Sequence, residues 1–122
     1  MQKLGRVAVY CGSRTGVDKQ HSLLATELGS TIAANDTALV YGAGGIGLMK
    51  RVADAVLEAN GEVIGVIPQN PILREVQHAK LTKTLVVNTM HERKKTMFDL
   101  SDAFIILPGG FGTLDEFFEM LT

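Results

Sequence analysis

Apolar residues along the chain follow two alternating rhythms. Short unbroken runs rich in β-branched residues read as buried strands: Arg6-Val7-Ala8-Val9-Tyr10-Cys11, Ala38 to Tyr41, Glu62 to Ile67, Thr84 to Val87 and Ala103 to Leu107. Between them apolar residues recur at helical spacing. Leu23, Leu24, Leu28, Ile32 and Ala33 predict a helix from Asp18 to about Ala34. Leu48, Met49, Val52, Ala53, Val56 and Leu57 predict a second, which opens from the glycine loop at Gly42 and stops near Asn60-Gly61. A third runs from Met90 to about Leu100, and a last begins near Thr113 and is still running at Thr122. Gln69 to Lys80, which contains Pro71, reads as a loop with a short helical piece around Leu73 to His78.

Strand and helix in alternation imply an α/β fold, a Rossmann-like doubly wound parallel sheet with helices on both faces. About five strands are expected, in a single domain spanning residues 1–122. A last helix still running at Thr122 leads us to expect a truncated domain. Ligands of such sheets bind past the carboxyl ends of the strands. Four features fall at that edge: Gly12-Ser13-Arg14, the loop from Gly42, the segment Asn88 to Lys94, and the loop from Gly109.

Composition narrows the ligand little. The 122 residues are 46% hydrophobic and 20% charged, ordinary for a globular domain. A net charge of −1 makes no case for nucleic acid or a membrane surface as partner. No apolar run approaches membrane-spanning length, and the N-terminus runs straight into a strand without a signal-peptide pattern. The lone Cys11 has no internal partner, so a reducing cytoplasm is the expected compartment.

The chemistry concentrates in the glycine loops. In Ile105-Ile106-Leu107-Pro108-Gly109-Gly110-Phe111-Gly112-Thr113-Leu114-Asp115-Glu116 a strand ends at a proline and three glycines lead into a helix. Unpaired N–H groups and a partial positive charge at a helix start hold an anion, and glycines let it come close. The loop has no Gly-Lys-Ser/Thr ending, so it is not the phosphate loop of an ATPase. Glu116 has two readings here: a chemical group beside that anion, or the far half of a Thr113–Glu116 capping box. The earlier loop, Gly42-Ala43-Gly44-Gly45-Ile46-Gly47, matches G-x-G-x-x-G between a strand and a helix. A dinucleotide site also needs an acid at the end of the next strand; Glu62 has the spacing but stands at that strand's start. Tight turning and close helix packing explain some of these glycines whatever the ligand.

Thr89-Met90-His91-Glu92 is another possible capping box, followed by Arg93, Lys94 and Lys95 in the first helical turn. Cations there oppose the helix dipole. Arg93 and Lys94 also flank the Met90–Met97 stripe that should face the sheet, so they point to an anionic ligand; the alternative is snorkelling from the core edge. His21, His78 and His91 show no metal spacing, and Cys11 reads as a buried thiol. Phe98, Phe104, Phe117 and Phe118 read as core.

Met90-His91-Glu92-Arg93-Lys94 followed by Pro108 to Glu116 resembles the Lonely Guy family, the cytokinin riboside 5′-monophosphate phosphoribohydrolases often labelled lysine decarboxylases. The resemblance extends to Tyr10-Cys11-Gly12-Ser13, Tyr41 to Met49, and Gly65-Val66-Ile67-Pro68 through Glu75, His78 and Leu81. It implies hydrolysis of the N-glycosidic bond of an adenosine-type 5′-monophosphate, AMP or isoprenylated AMP, to free base and ribose 5-phosphate. No metal or cofactor is called for, and a homodimer is expected. Arg93 and Glu116 would be the catalytic pair. Gly109, Gly110, Phe111, Gly112, Thr113, Leu114 and Asp115 would bind the substrate with Glu75, Lys94 and Thr122. Ser13, Gly44, Gly45 and Met90 complete the candidate set. Arg14, Ala43 and Lys50 depart from the family, which usually has serine, glycine and glycine there. Two other readings stand beside this one: a non-catalytic nucleotide or molybdenum-cofactor carrier of the same fold, and a pyridoxal-phosphate decarboxylase.

Overall fold

The computed structural model describes residues 5–10, 19–43, 47–69, 78 and 80–106. Eight elements follow the predicted rhythm: β1 (Arg6–Tyr10), α1 (Lys19–Ala34), β2 (Ala38–Tyr41), α2 (Gly47–Glu58), β3 (Val63–Pro68), β4 (Lys83–Val87), α3 (Met90–Leu100) and β5 (Ala103–Ile106). The helical piece expected near Leu73 to His78 and the last helix from Thr113 lie outside the described residues, apart from His78.

The five strands form one sheet in the order β4-β3-β2-β1-β5, and every pairing is parallel. Register sorts the side chains. Val7, Leu39 and Val63 are aligned across three strands, and so are Ala8, Val40 and Ile64. Because successive strand residues face opposite ways, the first set packs with Leu48, Val52, Val56 and Ile32 under α1 and α2. The second packs with Met97 of α3. Helices therefore cover both faces, as a doubly wound sheet requires. The chain steps outward from β1 to β4, then returns to place β5 on the other side of β1. That reversal puts the topological switch point at the carboxyl ends of β1 and β5, where Tyr10 pairs with Ile106.

Helical spacing predicted α1 without giving its buried face, and one expectation, a core position for Phe98, is corrected. Leu23 and Leu24 do not face the sheet: they are 70% and 46% exposed, and the buried face of α1 is Ala25, Gly29 and Ile32. The helix lies too close to α2 for leucine, as a Cβ on Gly29 would come 2.5 Å from the Val52 carbonyl oxygen. Phe98 is likewise not core but 48% exposed, stacked on Phe104 at 5.5 Å between ring centroids.

The helix stops were legible. Asn60 takes φ 62°, and Asn60 and Gly61 donate to the Leu57 and Val56 carbonyls, a Schellman ending. Asp36, at φ 54°, ends α1 in the same way through the Ala33 and Ile32 carbonyls. At the amino edge the Asp102 carboxylate accepts from the Gly5 and Arg6 N–H groups at 2.9 and 3.0 Å, tying the start of β5 to β1. Asp102→Ala leaves both donors to water, and the expected cost is about 1 kcal/mol. A urea midpoint unchanged from wild type would show that the tie contributes nothing. Among the described residues no helix is long and apolar enough to cross a membrane.

Candidate active site

The site begins at the amino end of α3. Thr89 is extended, at φ −133° and ψ 163°, and its Oγ1 accepts from the Glu92 N–H at 3.0 Å. The Glu92 carboxylate reaches back to the N–H of Asn88, also at 3.0 Å, one residue earlier than an ordinary capping box. Both interactions tie a side chain to a backbone N–H at the entry to α3 and fix its angle. The first turn then carries Arg93, half-buried, over the carboxyl ends of the central strands.

Arg93 is tied there by its own fork. Nε donates to the Val66 carbonyl at 2.9 Å, Nη2 donates to the Gly42 carbonyl, and Nη1 contacts the Met90 sulfur at 3.8 Å. The last registered pair of β2 and β3 is Tyr41 with Gly65. Gly42, just past the end of β2, and Val66 of β3 come next in sequence, so the guanidinium supplies the rung beyond the end of their ladder. Planar, rigid donors suit this bridging in a way that an ammonium does not. Among the described residues the acceptors of Arg93 are two carbonyls and a thioether, none of them an anion. A charged group in this position favours an anionic ligand at the strand ends. Lys94 is half-buried beside it.

Behind Gly42 lies a polar cluster that sequence reasoning missed. His78 is 7% exposed. Its Nδ1 accepts from the Lys80 N–H at 3.0 Å, which puts the ring proton of the neutral form on Nε2, 2.6 Å from an Asp54 oxygen. Its backbone N–H donates to the Ala43 carbonyl at 2.9 Å. With both ring nitrogens occupied, His78 has no lone pair to offer a substrate; it holds the chain after β3 against α2 and the Gly42 loop. Lys50 also pairs with Asp54, at 2.9 Å, which was legible as an i,i+4 pair. Asp54's histidine partner, 24 positions away, was not.

Burial pushes the Asp54 carboxyl up, but hydrogen bonds from Lys50 and His78 and the Lys50 charge outweigh it and hold the group below the usual carboxylate range. Burial, with the Asp54 charge, raises the Tyr41 hydroxyl far above its ordinary value. A depressed carboxylate contributes stability above its unfolded pKa and loses it as pH falls through the folded one. Wild type is therefore expected to lose its stability advantage over Asp54→Asn as pH drops below about 4. Denaturation midpoints of the two proteins across that range test this; parallel pH profiles would refute it.

Ala43 takes φ 66°, a left-handed backbone that glycine adopts at no cost. Its methyl fits because Gly65 lies opposite: a Cβ there would come 2.7 Å from that of Ala43. The Lys50 departure is absorbed by the Asp54 pair. The Arg14 departure, with Ser13, Gly44, Gly45, Glu75, the loop Gly109 to Asp115, Glu116 and Thr122, lies outside the described residues. The structure thus brings together Arg93, Met90 and the Gly42 end of the second glycine loop. The dinucleotide reading fares poorly on placement. Glu62, just before β3, lines a groove of about 490 Å³ at the amino edge with Arg6, Asp36 and Asn60, across the sheet from Arg93. Among the described residues no three His, Cys, Asp or Glu side chains are grouped to hold a metal ion.

A family model described as possible lysine decarboxylase matches residues 49–122. A cytokinin riboside 5′-monophosphate phosphoribohydrolase of Rhodococcoides fascians is 46% identical over 117 residues, covering 95% of this chain and 59% of that protein. One from Arabidopsis thaliana is 43% identical over 120 residues, covering 98% of this chain and 56% of that protein. The chain therefore spans little more than half the length of either relative. Among solved structures, the molybdenum cofactor carrier protein of Chlamydomonas reinhardtii superposes with a TM-score of 0.81 at 24% identity, over 96% of this chain and 70% of that one. A molybdenum cofactor binding protein of Rippkaea orientalis gives 0.77 at 24%, over 96% and 69%. These two likenesses establish the shared fold.

Proposed function

The chain belongs to the family described as possible lysine decarboxylase, and we propose that it forms part of a phosphoribohydrolase acting on adenosine-type 5′-monophosphates. The observation that carries this reading is Arg93, held by the Val66 and Gly42 carbonyls at the ligand-binding edge of the sheet with no anion among its described acceptors. Relatives named for this activity are 42–46% identical to the chain over 116–120 aligned residues. The carrier reading draws on structural neighbours at 22–24% identity, a likeness of fold alone.

The reaction breaks the bond between C1′ and the purine nitrogen. Water supplies hydroxyl to C1′, the base leaves with a proton, and positive charge builds on the ribose in an oxocarbenium-like transition state, as in glycoside hydrolysis. Gly110 to Thr113 hold the 5′-phosphate on backbone N–H groups, with Gly109, Leu114 and Asp115 around them. Glu116 stabilises the ribose charge or activates the water. Arg93 orients the nucleotide by charge-assisted hydrogen bonds, with Glu75, Lys94, Thr122, Ser13, Gly44, Gly45 and Met90 as further contacts. The working protein is a homodimer in the cytoplasm, free of metal and cofactor.

The test is to incubate purified protein with AMP and with isoprenylated AMP and to measure free base and ribose 5-phosphate. Release of both products from at least one nucleotide is expected. Tight binding with no release would replace the hydrolase by a carrier.

A further inference from the structure

Glycine serves two different needs, a backbone twist and an empty space, and the Gly42-Ala43 pair separates them. Ala43 has the left-handed φ of 66° that favours glycine. Gly42 lies outside that left-handed range, so its backbone suits any residue. What Gly42 supplies is room. A Cβ there would lie 2.0 Å from Arg93 Nη2, 2.8 Å from Cζ and 3.2 Å from Nε. Its own carbonyl accepts from that Nη2.

We propose that Gly42 is the positioning residue for Arg93: its missing side chain is the slot in which the guanidinium is seated against the carboxyl ends of β2 and β3. The first glycine of the G-x-G-x-x-G match thereby serves an arginine rather than a dinucleotide. The three atoms nearest a methyl at 42 all belong to the far end of the flexible Arg93 side chain, so the fold survives and the arginine is expelled from its carbonyls. The inference rests on the phosphoribohydrolase reading for its kinetic consequence, and on geometry alone for its effect on Arg93.

The experiment is a cycle of Gly42→Ala, Arg93→Ala and the double variant, with base release from AMP or isoprenylated AMP as one readout and thermal midpoint as the other. Gly42→Ala is expected to lower kcat/KM by about 10²-fold or more, close to the loss from Arg93→Ala, as for removal of a positioned donor. In the Arg93→Ala background it should add less than about twofold, because residues acting as one unit are not additive. Its melting cost should vanish in that background too. Guanidinium ion at non-denaturing concentration should restore activity to Arg93→Ala, whose slot is open, and not to the double variant, whose slot is filled. Multiplicative kinetic losses with additive melting shifts, or equal rescue of single and double variants, would overturn the slot. If wild type releases base from neither nucleotide, the hydrolase reading falls, and the melting cycle still decides whether Gly42 seats Arg93.

Discussion

Arg93→Ala is expected to lower kcat/KM for base release by about 10²–10³-fold, the usual consequence of removing a preorganised donor from a reacting charge. The size follows from how the side chain is held. Its Nε and Nη2 are already committed to the Val66 and Gly42 carbonyls, so the ordering of a long side chain is complete before substrate arrives, and little is lost again on binding. Arg93→Lys should recover little, since an ammonium cannot span both carbonyls and still face a nucleotide. The companion variant is Glu116→Gln. Glutamine serves in a capping box as glutamate does, so capping alone predicts unchanged activity and melting. A catalytic carboxylate predicts a fall in kcat of about 10²–10⁴-fold with the melting point kept. Base release that survives both Arg93→Ala and Glu116→Gln would remove these residues from the mechanism.

The elements were legible where local physics decides them. The bounds of α3 follow from Thr89 and Glu92 at its start, and those of α2 from Asn60-Gly61 at its end. Central strands β1, β2 and β3 are buried on both faces, and continuous apolar runs mark such strands. β4 sits at an edge with Val86 56% exposed, which its apolar sequence does not reveal. Strand order was out of reach as well, because pairing is decided by crossovers rather than by any run of residues.

The site was legible in part. Arg93 stood out as a cation against a helix dipole, flanking a sheet-facing stripe, and its bonds to the Val66 and Gly42 carbonyls put it at the strand ends. The same stretch carried no sign that Gly42 makes room for it, since a glycine in a sequence does not say whether space or backbone twist is required. The Asp54–His78 bond joins residues 24 apart, a distance over which sequence pattern carries no information about contact.

The buried face of α1 does not follow its leucines, for a reason that yields the second large effect. Hydrophobicity favours leucine, yet where two helices approach closely small residues take the contact, and here they are Ala25 and Gly29. A Cβ at 29 would stand 2.5 Å from the Val52 carbonyl oxygen, 2.6 Å from the Ala55 methyl and 3.2 Å from the Val56 nitrogen. Two of those three atoms are backbone, so relief requires α1 and α2 to move apart. Gly29→Ala would gain about 1 kcal/mol of helix propensity in isolation. Overpacking that separates two helices costs about 1–3 kcal/mol and occasionally more, so the net effect is destabilising. Gly29→Val adds two further carbons in the same space and is expected to lose about 3 kcal/mol or more, a large share of the 5–15 kcal/mol that holds a typical domain. Ser30→Ala, on the exposed side of the same turn, should stay within about 0.5 kcal/mol. Ala55→Gly in the Gly29→Ala background removes one obstruction, but it leaves the Val52 carbonyl and itself costs about 1 kcal/mol of helix propensity, so it should recover little of the loss. Urea midpoints for the series decide the matter: a Gly29→Ala protein as stable as wild type would mean that the helices are free to separate, and that close approach is not what selected glycine.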